Sequence, residues 1–521
     1  MTQTRFRLAL FLIVLLAASL RLWNLSGLPS GMHGDEAIVG YEARRILKTG
    51  SIGPYSPVSN GQPAGPIYLV APVLALLGDQ ILTVRLVPAI VGTLTVVALW
   101  ALLRRFAGER MALVGAFVLA TLGWHIHYSR IGFPVASWPL MGIFIAWTTL
   151  LALENPAPRR WMLAGFVNGL GVYIYKAHPL FLVGSAAFAA LTLLRLNLGS
   201  GLGSGFGWRR KTVLLALYGG ATLVAASFLV IYALDPGHNY GGQFAVYSVF
   251  NHPTWKATSG WGEQIPFLAN RYFNFWVGAL NGTSIRDLAD ASGLVPLVSV
   301  PVFGLALLGL LSWTRREALT QFSRLIVVTM PLSNVITVDA FSRRPFAVAP
   351  FLCVLAAVGA SQLVRWTRKD SVAEKFSLLA ISASLLWASF TTTRQYFGAF
   401  AANSSQAWVF CDELTRAVDY MKTVSYGRPI YFYSDRWSVS YDTRKFLAPD
   451  LNALDRSEEF GAPIGGLTPL AGDLSPVWVF VGQYKGQLSD VSRRYPGGKV
   501  VEGPFSLSAD GASFVAYEAP R

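Results

Sequence analysis

The chain has 521 residues, of which 53% are hydrophobic and only 14% charged; with a mean hydropathy of +0.44 this excludes an ordinary soluble enzyme and indicates a polytopic α-helical membrane protein. A formal net charge of +15 would suit nucleic acid in a soluble protein, but the Lys and Arg fall in short clusters between hydrophobic runs, where topology explains them, and no nucleic-acid partner is expected. The two cysteines, Cys353 in an apolar run and Cys411 in a polar region, offer neither a disulfide framework nor a metal-ligand set.

The N-terminal stretch TQTRFRLALFLIVLLAASLRLW starts basic like a signal peptide, yet no small-x-small cleavage site follows and Arg21 and Trp23 close it, so a retained signal anchor is expected. Directly after it come His33, Gly34, Asp35 and Glu36, two adjacent carboxylates in a place that is costly beside a bilayer unless they are used. Residues 38–48 put Val39, Ala43, Ile46 and Leu47 on one helical face and Glu42, Arg45 and Lys48 elsewhere, which predicts a helix lying on the outer membrane surface. The run PIYLVAPVLALLG at 66–78, bracketed by Pro63, Pro66 and Gly78, is too short to span and reads as re-entrant or interfacial.

Runs of spanning length lie at about 6–23, 81–103, 111–128, 139–153, 161–177, 179–196, 212–233, 293–313, 324–338, 346–365 and 376–391, about eleven transmembrane helices. Arg5/Arg7, Arg104/Arg105/Arg110, Arg159/Arg160, Arg209/Arg210/Lys211, Arg315/Arg316 and Arg365/Arg368/Lys369 occupy alternate connections, which the positive-inside rule assigns to the cytoplasm. Loops 24–80 and 234–292 and everything after residue 391 then face outward. The stretch 199–211 is a Gly/Ser linker with a basic end and no phosphate-binding pattern. The 234–292 loop, rich in Tyr240, Tyr247, Trp255, Trp261, Tyr272 and Trp276, suits an interfacial cap over a lipid-accessible groove.

Two domains follow: a transmembrane unit over 1–391 and a soluble extracytoplasmic α/β unit over 392–521. The latter is expected to hold a helix at 405–424, a strand RPIYFYSD, a helical stretch at 438–447, a strand PVWVFVGQ, a helix at 484–494 and a hairpin turning at Asp510 and Gly511.

Asp35 can cap the helix that follows it, and in a partly desolvated outer pocket it can also serve as a general base for a hydroxyl acceptor. The corner GWHIHYSRIGFP places His125, His127, Tyr128 and Arg130 at the outer end of the third span, as an interfacial belt or, for Arg130, an anion ligand. The corner GVYIYKAHPLF offers Tyr173, Tyr175, Lys176 and His178 at the end of the fifth span, with Lys176 able to snorkel. Arg343 and Arg344, in the short outer loop 339–345, run against the positive-inside bias, and a phosphate is the simplest reason. A carboxylate pair, separate basic residues and aromatic loops on one face are the equipment for moving a group off a lipid phosphate.

The Asp-Glu pair, the segment PAGPIYLVAPVLALLGDQILTVRLVPAIVGTLTV, the HYSRIG corner and the YIYKAH corner, in that order, resemble the membrane glycosyltransferases of the GT-C fold. The nearest branch is the protein O-mannosyltransferase and aminoarabinose transferase group, with its bacterial RgtA/B/C/D-like relatives. The resemblance implies transfer of a hexosyl or pentosyl group from a polyprenyl-phosphate-linked donor to a glycan, lipid or protein acceptor, outside the cytoplasmic membrane. It implies Asp35, with Glu36 beside it, as catalytic, and Arg130, Lys176, Arg343 and Arg344 as holding the donor phosphate; His33, His127, Tyr128, Tyr175 and His178 are candidates for the pocket wall. Val135 stands where the group often has a second acidic residue, so no cofactor and no obligatory metal are expected, a divalent cation being left open. The alternative is a transporter or flippase of lipid-linked glycans, which should carry ionisable groups at mid-membrane depth where these spans are nearly free of them.

Overall fold

The computed structural model describes residues 3–58, 61–195, 207–238, 240–282, 296–312, 317–338, 342–367, 369, 371–461, 466–470 and 472–520, apart from the side chains of 243 and 244. The linker at 199–206, Arg315, Arg316, Arg368 and residues 339–341 lie outside the described residues.

Helix α1 (Gln3–Leu22) leads to α2 (Gly34–Thr49), a two-stranded hairpin of β1 (Tyr55–Ser56) and β2 (Gln62–Pro63), and α3 (Gly65–Leu77). The bundle continues through α4 (Ile81–Ala107), α5 (Glu109–Thr121), α6 (Gly123–Tyr128), α7 (Trp138–Glu154), α8 (Pro158–Leu170), α9 (His178–Arg195) and α10 (Trp208–Leu234). The outer connection holds α11 (Tyr240–Tyr247), α12 (Pro253–Lys256) and α13 (Trp261–Asn281), and then come α14 (Val300–Leu311), α15 (Ala318–Thr329), α16 (Leu332–Val335), α17 (Val348–Arg365) and α18 (Val372–Arg394).

Six helical stretches among the described residues, Ile81–Ala107, Pro134–Glu154, His178–Arg195, Trp208–Leu234, Val348–Arg365 and Val372–Phe400, are long and apolar enough to cross a bilayer, and the protein is a multi-pass membrane protein. Helices α1, α5, α8, α14 and α15 stand at the other five predicted spans. Helix α3 has only 13 residues, about 20 Å, against a hydrocarbon core of about 30 Å. At the centre of the bundle α17 is buried nearly throughout. It meets α14 backbone to backbone: a Cβ on Gly309 would stand 2.0 Å from Leu355 O, and one on Gly359 1.9 Å from Leu305 O, so only glycine permits the approach.

After α18 the chain forms α19 (Ser404–Val409), α20 (Asp412–Val424), β3 (Ile430–Tyr433), α21 (Asp442–Leu447), β4 (Ala453–Asp455), β5 (Val477–Phe480), α22 (Leu488–Arg494), β6 (Lys499–Glu502), β7 (Phe505–Ser506), β8 (Gly511–Ala512) and β9 (Val515–Glu518). A five-stranded sheet runs β4-β3-β5-β9-β6, parallel across β4, β3 and β5 and antiparallel across β5, β9 and β6. The helix expected at 405–424 is broken at Cys411, which adopts φ 51°. The closing hairpin forms but turns over residues 507–510, Ser506 pairing with Gly511, so that Gly511 lies in a strand and not in the turn.

Helix α2 turns most of its apolar face to protein, while Leu47 of that face stays exposed. Its apolar residues Ala37, Val39, Ala43 and Ile46 share one hydrophobic core with Ile67 and Val70 of α3, Val84 of α4, and Leu414, Phe446 and Val477 of the C-terminal region. Gly40 admits the Phe446 ring, whose nearest atom would be 2.3 Å from an added Cβ. An amphipathic helix buries its stripe against whatever apolar surface the fold offers, and here that surface is protein, so the packing is continuous across residue 391.

Candidate active site

The site is built at the start of α2. His33 caps the helix, its Nδ1 accepting from Asp35 N at 2.9 Å while Glu36 Oε2 accepts from His33 N at 3.0 Å, a reciprocal capping box. The two carboxylates then part. Glu36 is fully buried and accepts from Arg85 Nε at 2.8 Å, Arg85 Nη2 at 2.9 Å and Gly132 N at 2.7 Å. Arg85 also donates to the carbonyls of Leu25, Pro29 and Gly31. Burial alone would raise the Glu36 carboxyl, but the Arg85 guanidinium and the N–H groups of Gly132 and His33 outweigh it and hold it below the usual carboxylate range. Glu36 therefore ties α2 to α4 and the 132 corner and does not face the cavity, contrary to its expected place beside Asp35 in the chemistry. Arg85 lies one turn into α4, near the end of that helix and not at its middle, and is paired.

Asp35 lines a cavity of about 220 Å³ together with Gln62, Phe133, Val135, Tyr175, Lys176, Tyr247 and Arg343. Arg343 Nη1 lies 3.1 Å from Asp35 Oδ2, and the two side chains are 26% and 35% exposed. A second cavity of about 190 Å³ shares Tyr175, Lys176 and Tyr247 and continues past Tyr55, Leu180, Ile336 and Arg344. Lys176 Nζ lies 5.0 Å and Arg344 Cζ 5.9 Å from the centre of the Tyr247 ring. Burial, then the neighbouring Arg343 and Arg344, push the Lys176 amine down to about 8, with Asp35 opposing. Asp35, Lys176 and Arg343 thus line a polar space beside an apolar one lined by Lys176 and Arg344.

The arginine loop is held from below. Trp124 Nε1 donates to Ser342 O at 3.2 Å and the Tyr128 hydroxyl bonds Ser342 Oγ, while Arg271 donates to the carbonyls of Asn334, Thr337 and Val338. The HYSRIG corner is thus a support, not an interfacial belt: His125, His127, Tyr128 and Arg130 are all buried. Arg130, expected at the donor phosphate, instead donates to the carbonyls of Leu20, Arg21, Asn24 and Leu28, clamping the end of α1. His127 bonds the Tyr396 hydroxyl at 3.2 Å. His178 sits between Trp138 Nε1, 3.3 Å from its Nδ1, and Asn168 O, 2.9 Å from its Nε2. His33, His127, Tyr128 and His178 accordingly line neither cavity, whereas Tyr175 lines both.

Nothing in the sequence singles out Gln62, Phe133 or Tyr55, which line these cavities; Tyr247 belongs to the aromatic outer loop that the composition marks. Among the described residues no three His, Cys, Asp or Glu side chains gather as a metal site requires.

A family model described as dolichyl-phosphate-mannose-protein mannosyltransferase matches residues 61–204. ArnT from Cupriavidus metallidurans bound to undecaprenyl phosphate aligns with a TM-score of 0.54 at 14% identity, over 98% of this chain and 99% of that one. The apo oligosaccharyltransferase of Archaeoglobus fulgidus aligns at 0.53 and 15% identity, over 96% and 74% of the two chains. The archaeal oligosaccharyltransferase AglB from Archaeoglobus fulgidus, in complex with an inhibitory peptide and a dolichol-phosphate, aligns at 0.51 and 14%, over 96% and 73%. A comparison with curated protein sequences finds no match. The resemblance read from the motifs holds in the fold, which is that of the GT-C membrane glycosyltransferases.

Proposed function

We propose that this protein transfers a sugar from a polyprenyl-phosphate-linked donor to a hydroxyl acceptor at the outer face of the cytoplasmic membrane, with the C-terminal sheet region outside. Asp35 takes the acceptor proton as the acceptor oxygen bonds the anomeric carbon. The bond from that carbon to the phosphate oxygen breaks, and polyprenyl phosphate leaves with the electron pair. Lys176, Arg343 and Arg344 hold the phosphate as its charge grows, which lowers the barrier only to the extent that they bind the leaving group better than the donor. The observation that carries this reading is the meeting of Asp35, Lys176, Arg343 and Arg344, from three separated stretches of chain, around two adjoining cavities, one polar and one apolar. The solved relatives with bound undecaprenyl phosphate and dolichol-phosphate support the donor class.

The test incubates the purified protein with a panel of polyprenyl-phosphate sugars and follows binding, slow donor hydrolysis and transfer. Asp35→Asn should still bind donor but lose transfer by about 10²- to 10⁴-fold, the usual worth of a positioned base. Full activity in that variant would sink Asp35 as the base, and failure to bind any member of the panel would sink the donor class.

A further inference from the structure

At the opposite end of the bundle α5, α17 and α18 enclose a groove of about 560 Å³, larger than either cavity at the candidate active site. Helix α17 connects the two ends: it begins at Val348, just after the arginine loop, and its 18 residues carry the chain about 27 Å to Arg365. The groove exists because α18 stands off. Helix α18 has no buried residue before Leu385, while the facing wall of α17 is cut back to Ala357, Ala360 and Ser361. The floor is apolar, with Val114, Leu378, Ile381 and Leu385, and the mouth carries Arg110, Arg365 and Lys369. Among the described lining residues the one carboxylate is Glu374, at the N-terminal turn of α18.

We propose that this groove binds an anionic diacyl phospholipid, its phosphate held by Arg110, Arg365 and Lys369 and an acyl chain laid along Val114, Leu378, Ile381 and Leu385. Charge decides the class. Three cations against one carboxylate among the described lining residues, at the end of the bundle that the basic clusters assign to the cytoplasm, match a headgroup of net negative charge and disfavour a zwitterionic one. The apolar floor requires a chain attached to that headgroup, and helix ends that leave such a gap in a bilayer are filled by lipid. The site is separate from the donor cavity, so its occupant supports the packing of α18 on α17 and takes no part in transfer.

The full-length protein, purified in detergent and delipidated, is titrated with phosphatidylglycerol, cardiolipin and phosphatidylcholine while thermal unfolding and lipid retention by native mass spectrometry are followed. The two anionic lipids should be retained and raise the unfolding midpoint, and phosphatidylcholine should do neither; equal retention of all three overturns the proposal. The triple variant Arg110→Gln, Arg365→Gln, Lys369→Gln should bind the anionic lipids about a hundredfold more weakly, from the contribution of each surface cation, with affinity for undecaprenyl phosphate unchanged. Undiminished anionic-lipid binding in that variant overturns it as well. The wild-type comparison of lipids decides the matter even if the triple variant fails to fold.

Discussion

Replacing Glu36 with Gln separates a structural role for this residue from a catalytic one. The carboxylate accepts from Arg85 Nε, Arg85 Nη2, Gly132 N and His33 N. A glutamine retains one acceptor oxygen, and its amide then turns two donor hydrogens toward groups that themselves donate. Arg85 keeps its three backbone acceptors but loses its counter-charge while fully buried. Removing one partner of a buried pair costs about 3–5 kcal/mol, enough to consume much of a typical stability. The folded-state carboxyl lies below its ordinary value of 4.5, so the pair's stabilisation is whole above that value and is lost as pH falls through the folded value. Thermal unfolding in detergent from pH 7 down to pH 3 should therefore show a lower midpoint for Glu36→Gln at neutral pH and a weaker acid dependence than in the wild type. Activity assayed at low temperature, where the variant stays folded, should be largely kept. A variant with wild-type midpoints and no activity would refute this reasoning and return Glu36 to the chemistry.

Two further predictions concern the cations. Lys176, pushed down to about 8, is charged below that pH and neutral above it, so affinity for undecaprenyl phosphate should fall as pH rises from 7 to 9; Lys176→Arg, which stays charged, should flatten the profile, and parallel profiles would exclude Lys176 as a phosphate ligand. Arg130→Gln should destabilise the protein, since the carbonyls of residues 20, 21, 24 and 28 lose their donor at about 1–3 kcal/mol for each one left unsatisfied. Its donor affinity, measured on the folded fraction, should match the wild type, and a selective loss of affinity would put Arg130 back at the phosphate.

Asp35 and Glu36 show how far reading along the chain reaches. The pair was visible because two carboxylates are rare beside a bilayer, and the cap because acidic residues suit a helix start. Which of the two turns inward was not visible, since that follows from Arg85, 49 residues away, and nothing local announces the partnership. Arg130 and Arg344 make the same point in opposite directions. Both are buried arginines in corner loops, but one meets a ring of backbone carbonyls and the other borders a cavity.

Hydrophobic run length, basic clusters at alternate connections and the order of the corner motifs are local properties, and they were sufficient for the six described helices long enough to span, the GT-C fold and, in the C-terminal region, strands β3 and β5 and the final hairpin, but not for β4. The side chains that meet around the cavities, the seating of α2 between the bundle and the C-terminal sheet, and the conversion of the HYSRIG corner from a surface belt into a buried support depend on contacts between residues distant in the chain. Such contacts arise when apolar faces and paired charges find each other during packing, and a pattern read along one segment carries no record of the segment it will meet.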